Sequence, residues 1–252
     1  MRRFSQTALM LALACAALSA SAKEITVSAA ASLKEAFQEI NTAYGRAHPD
    51  TQIRLNTAAS GVLLQQLVQG APVDVLATAD QETMDKAAEA KVIAPASRRT
   101  FAMNDLVLIQ PKTTNVRVNT LQDLGKPQVQ RVAVGNPASV PAGRYTKVAL
   151  EKAGLWQTVE GKIISTQNVR QALDYVSRGE VDAGFVYRTD AMLIRDRVRI
   201  VRAVPLEKPV SYAIAVTASS KDAAEATRYL DFIRSREGSR ILQKYGFNPA
   251  RR

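Results

Sequence analysis

The chain predicts an α/β protein of two lobes, each a mixed sheet flanked by helices, with a ligand cleft between them. Short apolar runs and runs of helical period alternate throughout the chain beyond residue 22, the pattern of a parallel or mixed sheet covered on both faces. At four places, residues 28–33, 57–61, 135–143 and 165–169, a strand passes into a helix through small, hydroxyl-bearing or proline-glycine residues with almost no charge. These turns fall in the first third and the middle of the chain. Ligands of such sheets sit outside the carboxyl ends of the strands, so two lobes facing each other across a cleft is the economical arrangement.

Taken in order, Ile25, Thr26 and Val27 make a short apolar strand. The helix after it places Leu33, Ala36, Phe37, Ile40 and Tyr44 on one face. A strand over 53–55 leads to a helix through Leu64, Leu67 and Val68, which Gly70 and Pro72 stop. Residues 74–78 read as a buried strand and 81–89 as an exposed helix. Strands over 106–109 and 132–134 are separated by a polar stretch holding Pro111 and Pro127. Helices over 145–152 and 169–177 follow, with a strand over 184–186 behind them. Strands over 198–201 and 212–216 precede a helical tail over 222–234 and 239–245. Crossovers near 103–106 and 204–210 assign 23–104 plus 207–252 to the first lobe and 105–206 to the second.

The N-terminus has the layout of a secretory signal peptide: Arg2 and Arg3, an apolar run from Ala8 to Leu18, and Ala20-Ser21-Ala22 as a cleavage site. The run is too short to span a bilayer. Cys15 raises a lipobox, but Ala12 stands where such a box usually carries Leu. Cleavage after Ala22 places the mature protein, starting at Lys23, in the periplasm and removes the single cysteine. The full chain carries a formal net charge of +11. Its basic residues are spread along helices and loops without an aromatic-basic module, so a solvated surface that attracts anions at long range is expected, not a nucleic-acid site.

A helix N-terminus offers unpaired N–H groups and about half a positive charge. Several such ends converging on one point bind an anion without Lys or Arg, so the four uncharged turns point to a receptor for a small oxyanion.

Ala29-Ala-Ala-Ser32-Leu33, Ala59-Ser60, Gly70-Ala-Pro72-Val-Asp74, Ala79-Asp80-Gln81, Val134-Gly135, Val140-Pro141-Ala142-Gly143, Asn168-Val169-Arg170, Gly184-Phe-Val-Tyr187 and Lys244-Tyr-Gly-Phe247 occur in that order. With this ordered set the chain closely resembles the periplasmic molybdate-binding proteins of ABC importers over essentially its whole mature length. The resemblance implies the type II periplasmic-binding-protein fold. It also implies a monomeric receptor that takes molybdate or tungstate, needs no cofactor, and delivers the anion to an inner-membrane permease. Carried over by motif, the ligand contacts are the hydroxyls of Ser32 and Ser60, the backbone N–H groups of Ala142 and Val169, and the phenol of Tyr187. No direct metal-cation ligand is implied. Relatives often carry a longer Ser/Thr run at the second serine, where this chain has Ala59 and Gly61 on either side of Ser60.

Each residue has a plainer reading. Ser32 suits a helix N-cap, Ser60 an ordinary turn, Pro141 and Gly143 a turn constraint, and Tyr187 a core aromatic. A receptor for sulfate or another tetrahedral oxyanion fits the same fold. A serine hydrolase is the remote rival. It lacks a G-x-S-x-G elbow, its lone histidine, His48, lies in a loop beside Pro49, and Lys34 diverges from Ser32. The mature chain lacks a Cys/His set for a metal. Asp74 and Asp80 read as capping or cleft-rim residues.

Overall fold

Two mixed sheets organise the protein, and the chain passes between them twice. The computed structural model describes residues 23–250, so the expected signal peptide lies outside the described residues. The first sheet runs β11-β4-β10-β3-β1-β2. Its strands are β1 (Lys23–Ala30), β2 (Thr51–Ala58), β3 (Val75–Thr78), β4 (Arg99–Asn104), β10 (Val210–Val216) and β11 (Asn248–Pro249). The second runs β7-β6-β8-β5-β9, built from β5 (Leu106–Pro111), β6 (Val132–Gly135), β7 (Ile163–Thr166), β8 (Ala183–Tyr187) and β9 (Val198–Ala203). The chain leaves the first sheet after Asn104 and re-enters it at Val210.

In each sheet three neighbouring strands are parallel, β2-β1-β3 in one and β7-β6-β8 in the other. Parallel strands need crossover helices, which cover the sheet faces. β3, β5, β6 and β8 are accordingly buried along their whole length and read as short continuous apolar runs. β2 lies at an edge and alternates polar and apolar residues.

The helices are α1 (Lys34–Ala47), α2 (Ser60–Val68), α3 (Gln81–Glu89), α4 (Pro141–Lys152), α5 (Trp156–Glu160), α6 (Val169–Ser177), α7 (Arg188–Leu193), α8 (Ala223–Arg234) and α9 (Arg236–Lys244). α1 buries Ala36, Phe37, Ile40 and Tyr44 as its spacing predicts. Burying a side chain such as Phe37 contributes ~1.5–3 kcal/mol. The helix expected from residue 145 begins four residues earlier, at Pro141, because proline fits a first helical turn whose N–H would be unpaired anyway. The tail helix expected from residue 239 likewise begins at Arg236, capped by the Ser235 side chain, which accepts from the Gly238 N–H at 3.2 Å. β4, β11, α5 and α7 were not expected. They are short or polar-interrupted, and pairing to neighbours stabilises them more than their own periodicity does.

Behind the first sheet, the buried Glu225 of α8 gathers Thr51 Oγ1 at 2.9 Å, Lys23 Nζ at 3.4 Å, the Tyr44 hydroxyl and Arg228. Burial alone would raise its pKa, but these donors outweigh burial and hold it at about 2. This pins the start of β1 to α1, β2 and α8, away from the cleft.

Candidate functional site

The carboxyl ends of the parallel strands of both sheets face one another across a small, tight cavity. Ser32, Ser60, Ala142, Val169 and Tyr187, the five residues singled out from sequence, all line it. The rest of the lining is alanine, Val140, Pro141 and Asn168, so no charged side chain reaches the cavity wall.

The first wall follows β1 and β2. Ser32 lies in a 3-10 turn, Ala31–Leu33, between β1 and α1, and is buried. It does not cap α1, whose N-cap is Leu33. Its Oγ lies 2.9 Å from the Tyr212 hydroxyl. Ser60 is the first residue of α2 and fully buried. Its Oγ accepts the Ala79 N–H at 3.0 Å, which leaves its own proton to donate elsewhere.

The second wall follows β6, β7 and β8. In α4 the Val140 carbonyl already takes the N–H groups of Gly143 and Arg144. Ala142, one position earlier, has no carbonyl a turn back, and its N–H stays free of the helix. In α6 the Asn168 side chain caps Arg170 N at 2.9 Å and Gln171 N at 3.0 Å. That leaves the N–H of Val169, the first helical residue, untaken by the cap. Tyr187 closes β8, and its hydroxyl is buried without a hydrogen-bond partner among the described residues. Burial, then the neighbouring Tyr212, pushes this phenol well above its ordinary range, so it stays protonated and can donate.

Contacts across the cleft hold these walls together. Gly61 N–H donates to the Ser139 carbonyl at 2.9 Å. A Cβ on Gly61 would stand 2.7 Å from that oxygen, so only glycine permits this approach. The missing hydroxyl at position 61, noted from sequence, is therefore a packing requirement. Two arginines stand just behind the donor amides. Arg144 reaches Asp80 Oδ2 at 2.6 Å and Thr83 Oγ1 at 2.7 Å. Arg170 forks onto Glu35, at 2.6 and 3.0 Å, and its Nε lies 2.6 Å from the buried Asp190 Oδ1 in an alignment too bent for a hydrogen bond. Burial pushes Asp190 above the usual carboxylate range, with Arg170 opposing. The positive charges are thus neutralised one or two residues along the chain from the cavity lining, and its own surface is left with hydroxyl and amide donors. Sequence reading missed these arginines as bridging residues, although Arg170 adjoins Val169 and Arg144 lies two residues from Ala142.

Asp80 also caps α3 by accepting the Thr83 N–H at 3.2 Å, and Asp74 accepts from Thr26 N at 2.8 Å, so both are structural carboxylates. His48 stacks on Tyr44 with ring centroids 4.3 Å apart, remote from either serine. A larger, open groove runs past Asp80, Glu82, Asp85, Arg144 and Tyr145. Its carboxylates disfavour an anion, so chemistry and not size selects the smaller cavity. Among the described residues no group of three or more His, Cys, Asp or Glu side chains is placed to hold a metal ion, and no helix is long and apolar enough to cross a membrane.

Residues 25–248 match the family model for bacterial extracellular solute-binding proteins. The chain belongs to that family. This solute-binding protein is 36% identical over 253 residues to the molybdate-binding protein ModA of Escherichia coli, covering 97% of this chain and 96% of the relative. Among solved structures it is similar to the substrate-binding domain of a putative molybdenum ABC transporter from Clostridium difficile. That match has a TM-score of 0.69 at 32% identity and covers 90% of this chain and 99% of that one. The sulfate-binding protein SubI from Mycobacterium tuberculosis superposes with a TM-score of 0.80 at 16% identity, over 90% and 87% of the two chains, which speaks for the fold alone. Solute-binding proteins of this family capture and release and are not enzymes. A nucleophilic role for Ser32 or Ser60 therefore has no support.

Proposed function

We propose that the protein is a periplasmic receptor that captures molybdate, and with it tungstate, in the small cavity between the two walls and hands it to an ABC permease in the inner membrane. The observation that carries the reading is the buried, unpartnered Tyr187 hydroxyl in an uncharged cavity. A buried polar group without a partner costs ~1–3 kcal/mol, and an oxyanion oxygen would satisfy it. The ligand contacts are the hydroxyls of Ser32, Ser60 and Tyr187 and the N–H groups of Ala142 and Val169. Molybdate is an unprotonated dianion near neutral pH, so each oxygen is an acceptor that suits a donor-only wall. Hydrogen phosphate would turn its own proton against a donor. Sulfate is also a pure acceptor and is refused by its shorter bonds, provided that packing such as Gly61 on Ser139 stops the walls from closing further. The names of the E. coli and C. difficile relatives support molybdate over sulfate.

In this reading residues 23–104 plus 207–252 form one lobe and 105–206 the other, and the anion bridges them. Contacts with both lobes shift the population toward the closed state. A monomer, cleaved after Ala22, presents the joint surface of both lobes to the permease.

A thermal-shift titration of the mature protein with molybdate, tungstate, sulfate and phosphate tests the proposal. At 100 times its dissociation constant a ligand adds ~2.7 kcal/mol, which raises the melting temperature of a chain of this size by about 5–10 °C. The expected result is a rise with molybdate and tungstate only. A rise with sulfate moves the protein to the sulfate receptors of this fold, and no rise with any of the four overturns the oxyanion reading.

A further inference from the structure

Ser32 donates to an anion only if its proton points into the cavity. A serine hydroxyl rotates freely and also accepts, so something must fix its direction. Behind Ser32 lies a chain of buried polar groups that leads to the crossover between the sheets. Asn104, the last residue of β4, accepts the Asp105 N–H on Oδ1 at 2.9 Å. A backbone N–H only donates, so the amide nitrogen of Asn104 must face the other way. There Nδ2 donates to Thr189 Oγ1 at 2.9 Å and to the Tyr212 hydroxyl at 3.2 Å. Tyr212 is fully buried, and its remaining partner is Ser32 Oγ at 2.9 Å. Since its oxygen already accepts from Asn104, its proton can go only to Ser32. The reverse orientation would leave the Tyr212 proton buried without an acceptor. With Tyr212 donating to it, Ser32 must send its own proton into the cavity. Tyr212 cannot swing away, because its ring is fixed edge-on between Tyr187, Phe101 and Phe247, at 5.8, 6.2 and 5.3 Å between centroids.

We infer that Asn104 and Tyr212 are positioning residues that fix the proton of Ser32 as a donor to the ligand, and that the site's refusal of a protonated oxyanion depends on them. The inference rests on the oxyanion reading above and goes beyond it by assigning roles to two residues that do not line the cavity. Ser60 reaches the same state by a shorter route, through the Ala79 N–H. The long relay at Ser32 starts where the chain crosses between sheets and includes Thr189 of α7, so the orientation of a first-wall donor is tied to the second sheet.

The test is a double-mutant cycle by titration calorimetry with wild type, Tyr212→Phe, Ser32→Ala and the double variant. The ligand is whichever of molybdate, tungstate or sulfate the wild type binds, with phosphate as competitor. Tyr212→Phe keeps the ring and removes only the hydroxyl. It is expected to weaken binding about tenfold in the wild-type background and less than twofold when Ser32 is already alanine. The ratio of phosphate to molybdate dissociation constants is expected to fall in Tyr212→Phe, because Ser32 is then free to accept. Asn104→Ala should repeat this pattern with a smaller change. A ligand-free melting temperature for each variant shows whether it is folded. Equal losses in both backgrounds, or an unmoved phosphate ratio, would overturn the inference while leaving the oxyanion reading intact. A wild type that binds none of the three anions overturns both.

Discussion

In the proposed site the first wall of the cavity offers the side-chain hydroxyls of Ser32 and Ser60, and the second offers two helix-end N–H groups and the phenol of Tyr187. The amides of Ala142 and Val169 are aimed by helix geometry, and no neighbour is needed to orient them. The serine hydroxyls instead have side-chain or backbone partners, Tyr212 for Ser32 and the Ala79 N–H for Ser60, and by the inference above these partners aim their protons. Tyr187 stands between the two cases, held by its ring but with a hydroxyl that has no protein partner. A wall of side-chain donors is therefore easily damaged by point substitution and easily retuned. A wall of amides resists both.

The largest effect should come from Ser60→Ala. It removes a charge-assisted hydrogen bond of ~1.5–3 kcal/mol, roughly 10- to 100-fold in affinity. It also leaves the Ala79 N–H buried without an acceptor, so the ligand-free melting temperature should drop by several degrees as well. Loss of affinity at unchanged stability would mean that the Ala79 N–H finds another partner. Tyr187→Phe should be milder, weakening molybdate about three- to tenfold by calorimetry. Because its hydroxyl is unpartnered in the ligand-free protein, its removal should leave the ligand-free melting temperature unchanged or slightly raised. A clear drop would mean that the hydroxyl supports the fold. The smallest effects belong to Ala142→Gly and Val169→Ala, which keep the N–H donors in place and should change affinity less than about threefold. A tenfold loss in either would break the contrast between the walls and show that the side chains on the amide wall position the anion.

Legibility from sequence divides along related lines. The alternation of strands and helices was readable, because apolar periodicity is local and strong in α1, α6 and the buried strands. The five lining residues were carried over from the family resemblance by ordered short motifs, and it is the ends of parallel strands that bring them together. The early start of α4 carried a local signal in Pro141 that went unused, whereas the short α5, α7, β4 and β11 were not readable, since their stability comes from what they pack against. Arg144–Asp80 and Arg170–Glu35 join residues 64 and 135 positions apart, and nothing in local spacing pairs them.

By itself, then, the sequence of this protein determined which turns are uncharged, which helices begin there, and which residue types could present donors to an anion. The tertiary structure alone decided the direction of those donors. The Ser32 hydroxyl meets a partner, Tyr212, 180 residues away. The gap at Gly61 has meaning only beside the Ser139 carbonyl. Local propensity acts over a few residues, whereas the polarity of a hydrogen-bond chain is fixed by every group along it, and only folding assembles that chain.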